Sequence, residues 1–277
     1  MNRLFTRSLL ATLFLLLFST ALFAKKDGWK FAIQSYSFHT FSLVEALDKC
    51  NQLGIQYIEV YPGHRLGGQW GDQVFGIQLD KKIQDEIKAL AKQKNVKIVA
   101  TGVFTSDDPQ QWDQLFLFAK QMGLEYVTCE PPLELWDRIE ALSNQYKIKV
   151  AVHNHPQPST YWKPQALLQA IDGRSKHLGS CADVGHWKRE GLDNIQCLQL
   201  LKDRVISYHF KDIIAKPQAG EQHDCIWGEG VLNVKGMIDV MRQQKFRGYL
   251  AIEYEYNWEN SVPDIRRCLE NFQKLSR

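Results

Sequence analysis

Eight times between residues 31 and 272 the chain passes from a short β-prone apolar run into a stretch whose apolar residues fall at helical spacing. No other feature narrows the fold as far, because repeated strand–helix units cover both faces of their strands only by forming a parallel sheet, open or closed. The strands read as FAIQSY (31–36), YIEVY (57–61), KIVATG (97–102), EYVTCE (125–130), IKVAVHNH (148–155), HLGSCAD (177–183), VISYHFKD (205–212) and GYLAIEYE (248–255). The first helix is the best marked. Ser42 and Glu45 make the S-x-x-E pattern of a capping box, Leu43, Leu47, Cys50 and Leu53 follow at helical spacing, and Gly54 supplies the stop. Further helices are expected around Ile83–Ala91, near 109–122, near 133–146, after Pro164, near 193–203, at 234–244 and from about Ser261. An open doubly wound sheet usually carries a glycine-rich phosphate loop after its first strand, whereas this chain reads QSYSFHTFS there. The expected architecture is therefore a single (β/α)8 TIM barrel.

Residues 1–24 stand apart from that pattern. Arg3 and Arg7 precede an apolar run from Ser8 to Phe23, and Ala24 leads into Lys25, Lys26 and Asp27, which is the layout of a signal peptide cut after Ala24. Its removal leaves 253 residues for a barrel domain at 25–277, near the usual size of about 250. Export to the periplasm or medium is expected, with no membrane attachment after cleavage. The net charge falls from +3 to +1, which gives no support for nucleic-acid binding. The six cysteines are scattered without a C-x-x-C and read as small buried residues rather than a disulfide scaffold.

Polar residues gather at the C-terminal ends of the strands, where TIM-barrel active sites are built. Glu59 ends strand two, Glu130 strand four, His153 and His155 strand five, and Asp183 strand six, with His186 three residues on. His209 and Lys211 end strand seven, and Glu253 and Glu255 end strand eight. Alternation along a strand puts His153 with His155, His209 with Lys211, and Glu253 with Glu255 on common faces. Imidazoles and carboxylates crowded at one barrel mouth need a cation to balance them. A thiolate-free His/Asp/Glu set suits Mn²⁺, Zn²⁺, Co²⁺ or Fe²⁺. Taken singly, each residue has a plainer reading as a hydrogen-bonded or solvated strand end. Trp70, Trp187, Trp227 and Trp258 fall in predicted loops around the mouth, where they either stack on sugar rings or pack the loops.

The segments VHNHPQ (152–157), CADVGHW (181–187), HFKD (209–212), WGEG (227–230) and IEYEYNWENS (252–261) resemble the xylose-isomerase-like TIM-barrel superfamily, the sugar phosphate isomerase/epimerase family, and in particular its exported members. The resemblance implies one divalent metal ion, Mn²⁺ first among the candidates, held by Asp183, His209 and Glu253. The family's strand-five glutamate is replaced by His153, so His153 and Glu130 are both carried as further metal ligands. Glu253 and Glu130 are expected as the acid/base pair, and His155, His186 and Lys211 as substrate-binding residues. The implied activity is proton abstraction next to a carbonyl of a sugar or keto-glycoside, as an isomerase or epimerase. A lyase or dehydratase working by β-elimination is the alternative. An endonuclease IV-type metal hydrolase and a non-catalytic sugar-binding barrel are further from the pattern. No arginine follows the strand-seven histidine and no phosphate signature is present, so a phosphorylated substrate is unsupported.

Overall fold

The computed structural model describes residues 27–277, so the predicted leader at 1–24 lies outside the described residues. Parallel strands β1 (Lys30–Gln34), β2 (Tyr57–Val60), β3 (Lys97–Phe104), β4 (Tyr126–Cys129), β5 (Lys149–Val152), β6 (Leu178–Asp183), β7 (Val205–Phe210) and β10 (Tyr249–Ile252) close into a barrel in the order β1–β10–β7–β6–β5–β4–β3–β2. The covering helices are α1 (Leu43–Leu53), α2 (Lys81–Gln93), α3 (Pro109–Met122), α4 (Trp136–Tyr146), α5 (Pro164–Ala170), α6 (Val184–Arg189), α7 (Asn194–Leu201), α8 (Val234–Gln243) and α9 (Ser261–Leu275). The α1 capping box forms as its sequence dictates: Ser42 Oγ accepts from Glu45 N and the Glu45 carboxylate takes Ser42 N, while Gly54 closes the helix in the left-handed conformation.

The barrel interior is filled by small and planar side chains. Ala32, Ala100, Ala151, Ala251 and Cys181 surround Tyr126 and Tyr249, whose ring centroids lie 5.6 Å apart. This plug closes the barrel from the N-terminal side and leaves the C-terminal strand ends for polar groups. Between the barrel and the helices lies a second, larger apolar layer that includes Trp187 and Trp227, both buried. Of the two readings open from sequence, those two indoles therefore take packing rather than sugar stacking.

Two elements lie outside the eightfold pattern. Asp183 caps the short α6 by accepting His186 N at 2.7 Å, which turns the D-x-x-H motif into one helical turn. After β7, the strands β8 (Asp212–Ile213) and β9 (Asp224–Cys225) form an antiparallel hairpin. Asp212 organises the hairpin and the WGEG loop: its carboxylate accepts the backbone N–H groups of Ile213, Gly228, Gly230 and Leu232. A Cβ on Gly230 would stand 2.2 Å from Asp212 Oδ1, so the WGEG glycine permits that approach. Strand β5 stops at Val152, and His153 and His155 sit just past its end, although His153 N still donates to Cys129 O at 3.0 Å.

Candidate metal centre

The ends of β5, β6, β7 and β10 bring His153, Asp183, His209 and Glu253 together, each offering one donor atom within 4.8 Å of the others. Asp183 and His209 are register partners on adjacent strands, and His209 pairs likewise with Ala251, two residues before Glu253. All four are buried. Asn154 ties the loop after β5 to the end of β6 by a reciprocal pair, donating to Asp183 O and accepting from Asp183 N, both at 2.9 Å.

Each donor is aimed by what stands behind it. His209 Nε2 lies 3.0 Å from Glu59 Oε1, and Glu59 also accepts from Gln34 Nε2 (3.0 Å) and Tyr126 OH (2.8 Å). The carboxylate therefore accepts the Nε2–H hydrogen bond and turns Nδ1, the nitrogen that would hold an ion, toward Glu253 Oε2, 3.1 Å away. His153 is oriented from the other side, with Nδ1 at 3.3 Å from Glu130 Oε1 and Nε2 at 3.4 Å from Asp183 Oδ2. Asp183 uses Oδ1 for the helix cap and keeps Oδ2 for the centre.

Three of the four donor atoms, Asp183 Oδ2, His209 Nδ1 and Glu253 Oε2, are buried without a hydrogen-bond partner. Lys211 Nζ lies 3.1 Å from Asp183 Oδ2 and 2.7 Å from Glu253 Oε2, close enough to attract both, but its directed bond goes to Glu255 Oε1 at 2.5 Å. Convergent unpartnered donors on a thiolate-free two-imidazole, two-carboxylate set are what a divalent ion requires. The residues present therefore fit such an ion.

The charges support the same fit. Burial alone would raise the Asp183 carboxyl, but His186, Lys211 and His153 hold it well below its usual value. Burial would also raise Glu253, and His209 and Lys211 bring it below the usual carboxylate range. Burial opposes charge on His209, but Cys181, Glu253 and Glu59 raise its pKa well above the ordinary value, so an ion held there would displace a proton from Nδ1. Lys211 is fully buried, yet Asp183, Glu253 and Glu255 keep it charged. Its stem passes over Gly185, where a Cβ would meet Lys211 Cδ at 2.5 Å.

Glu130, expected as a ligand or a free base, does not join the four. Its Oε1 faces His153 Nδ1, His155 N (3.1 Å) and His155 Nδ1 (2.5 Å), and its Oε2 accepts from Ser159 Oγ (2.7 Å). Burial raises its pKa, but His153, His155 and Ser159 outweigh that and leave it a committed acceptor. His155 is the half-exposed member of the site, at 48% for its side chain. Its Nδ1 donates to Glu130, which leaves Nε2 outside that bond. His186 and His155 have ring centroids 5.5 Å apart. The ring nitrogens of His153, His155 and His186 include a second set within 4.8 Å of one another.

Sequence reasoning leaves three contributors without a role. Glu59 reads only as a strand end, because its tie to His209 crosses 150 positions of sequence. Arg189 and Asp224, bonded at 2.8 Å, flank His186 and Lys211, and neither stands in a motif.

Comparison with known proteins agrees with the barrel fold. A family description, Xylose isomerase-like TIM barrel, matches residues 47–272. An inosose dehydratase of Lactiplantibacillus plantarum is 22% identical over 139 residues, which spans 44% of this chain and 45% of that protein, under half the length of each. An uncharacterised protein from Parabacteroides distasonis ATCC 8503 is 35% identical with a TM-score of 0.73, covering 89% of this chain and 99% of that one. The IolI protein, solved with a bound zinc atom, shares the fold at a TM-score of 0.69 and 14% identity, over 89% of this chain and 98% of that one. A D-tagatose 3-epimerase-like protein does so at 0.68 and 19%, over 89% and 98%. With its closed eight-stranded barrel and a match running through most of its length, the chain belongs to the xylose isomerase-like TIM barrel family.

Proposed function

We propose that this protein is a divalent-metal-dependent enzyme that removes a proton next to the carbonyl of an uncharged sugar or keto-glycoside. The observation behind this reading is the convergence of His153, Asp183, His209 and Glu253, three of whose donor atoms are buried without a directed hydrogen bond. When bound, a divalent ion supplies Lewis-acid polarisation of the substrate carbonyl. His155 takes the proton on Nε2, with Glu130 on Nδ1 holding the ring and stabilising the charge it acquires. The C–H electron pair becomes the enolate double bond, and the carbonyl pair moves to oxygen, where the His186 side chain lies at hand. Lys211, Asp183 and Glu253 keep their mutual charges fixed and are not consumed as acid or base.

The two cations of the site are already matched by carboxylates, Lys211 by Asp183, Glu253 and Glu255, and Arg189 by Asp224. That balance favours a neutral substrate over a phosphate ester. Epimerisation requires proton carriers on both faces of one carbon, but Glu130 is tied by His153, His155 and Ser159, and His155 is the half-exposed base. One base suits proton transfer between neighbouring carbons or β-elimination, and it places a two-base epimerase second. The test is metal stoichiometry with function: the protein binds one Mn²⁺ or Zn²⁺ per chain, Asp183→Asn loses it, and stripping and reloading the ion abolishes and restores turnover of keto-sugars. Turnover that survives in the stripped protein contradicts the reading.

A further inference from the structure

Arg189 and Asp224 have no place in the metal centre, yet both are built into its wall. Arg189 ends α6 three residues after His186, on the same side of the helical turn. Its Nη2 donates to Asp224 Oδ1 at 2.8 Å, and its Nη1 lies 3.2 Å from His186 Nδ1. Asp224 is fully buried at the start of β9, and its other oxygen accepts Glu255 N at 2.9 Å. The β8–β9 hairpin thus reaches His186 through a two-residue relay.

A guanidinium has only donors, so the ring nitrogen facing it must accept. We propose that Arg189, held by Asp224, donates to His186 Nδ1 and so fixes the ring as its Nε2–H tautomer. His186 is thereby a hydrogen-bond donor to the substrate oxygen and is withdrawn from metal ligation. The first half of this rests on the geometry alone, and the substrate half rests on the proposed function. His186 Nε2 is 3.7 Å from Asp183 Oδ2, too far for a hydrogen bond between them, so its proton is left for a ligand beside the centre. The same relay answers what the set of His153, His155 and His186 does. Each Nδ1 is engaged, the first two by Glu130 and the third by Arg189, and the proton on His186 Nε2 removes the lone pair a second ion would need. Arg189 and Asp224 are positioning residues: they act through His186.

The direct test is the histidine tautomer in the metal-free full-length protein, read from long-range proton–nitrogen NMR correlations with ¹⁵N-labelled histidine. His186 is assigned by its loss in His186→Gln. The expected wild-type pattern is a protonated Nε2 and an unprotonated Nδ1. Arg189→Met releases Nδ1 and gives mixed tautomers, Asp224→Asn moves the same way, and Arg189→Lys, which restores a donor, moves back toward wild type. A wild-type Nδ1–H tautomer, an imidazolium, or an unchanged His186 pattern in folded Arg189→Met overturns the proposal. Should Arg189→Met not fold, the wild-type and Arg189→Lys spectra decide it. Zinc titration of the wild type gives a second readout, with one ion per chain expected and a second ion lost in His186→Gln contradicting it. Neither readout needs a substrate, so a failed enolisation reading leaves the tautomer result standing, while a failed tautomer result leaves metal-dependent turnover untouched.

Discussion

Replacing Glu59 by Gln probes how the metal centre is aimed without touching a ligand. In the wild type, Glu59 Oε1 accepts from His209 Nε2 and Gln34 Nε2, each at 3.0 Å, and Oε2 accepts from Tyr126 OH at 2.8 Å. A glutamine that places its amide nitrogen on the Tyr126 side keeps its oxygen toward His209, and the tyrosine hydroxyl turns to accept. The bond to His209 then survives as a neutral one, about half as strong as the charge-assisted bond it replaces. The imidazole becomes a poorer ligand and is held less firmly. Loss of such a supporting partner typically weakens metal binding by about 10–100-fold, or roughly 1.4–2.7 kcal/mol. The fold loses about 1–3 kcal/mol as three charge-assisted bonds become neutral. The assay is competition of Zn²⁺ or Mn²⁺ against a chelating dye, beside urea denaturation of the metal-free protein. Tyr126→Phe is the control, since it removes one bond to Glu59 and leaves the carboxylate facing His209. A folded Glu59→Gln protein with wild-type metal affinity would refute the claim that the charge of the Glu59 carboxylate strengthens His209 as a ligand.

Three other outcomes are expected. Asp212→Asn puts a donor among the four backbone N–H groups that its carboxylate accepts, and it destabilises the fold by about 2–4 kcal/mol in denaturant titrations; a change under about 0.5 kcal/mol contradicts the organising role given to that residue. His64 is buried against Ser35 Oγ and Phe41 O, and burial lowers its pKa from 6.5 to about 4. Its contribution is present above pH 6.5 and is lost as pH falls through 4, so between pH 7 and 4 it removes about 3 kcal/mol of stability that His64→Gln would not lose; equal acid sensitivity in both proteins counts against this. Export with cleavage after Ala24 predicts a mature amino terminus at Lys25, read by sequencing protein from the periplasm or medium of the expressing cell; an uncut chain starting at Met1 contradicts it.

The eight units were legible because each strand and its helix carry their own periodicity, and the α3 limits, Pro109–Met122, coincide with the stretch expected from sequence. The strand-end residues were legible because barrel chemistry gathers at C-terminal strand ends, and His209 and Lys211 do share a buried face. What sequence could not assign was which carboxylate faces the centre and which stands behind it. Glu130 and Glu59 differ from Glu253 in their partners, not their pattern: Glu130 backs an imidazole at the end of the neighbouring strand, and Glu59 one at the end of a strand far along the chain. Trp187 and Trp227 sit in loop-like segments by sequence but turn into the apolar layer around the barrel. The α6 turn escaped notice because its six residues are too few for an apolar period, though Asp183 before His186 was the available cap signal.

Under the proposed function, this centre removes a proton beside a carbonyl. Its most direct test is deuterium incorporation from D₂O, followed by NMR, for a free ketose, an inosose and a 3-keto-glucoside incubated with metal-stripped and Zn²⁺-reloaded protein. Exchange at the carbon next to the carbonyl is expected, and it depends on the metal. That exchange falls by about 10²–10⁴-fold in His155→Gln while metal affinity stays near wild type. Full metal occupancy with no exchange into any of the three, or undiminished exchange in His155→Gln, would contradict that function.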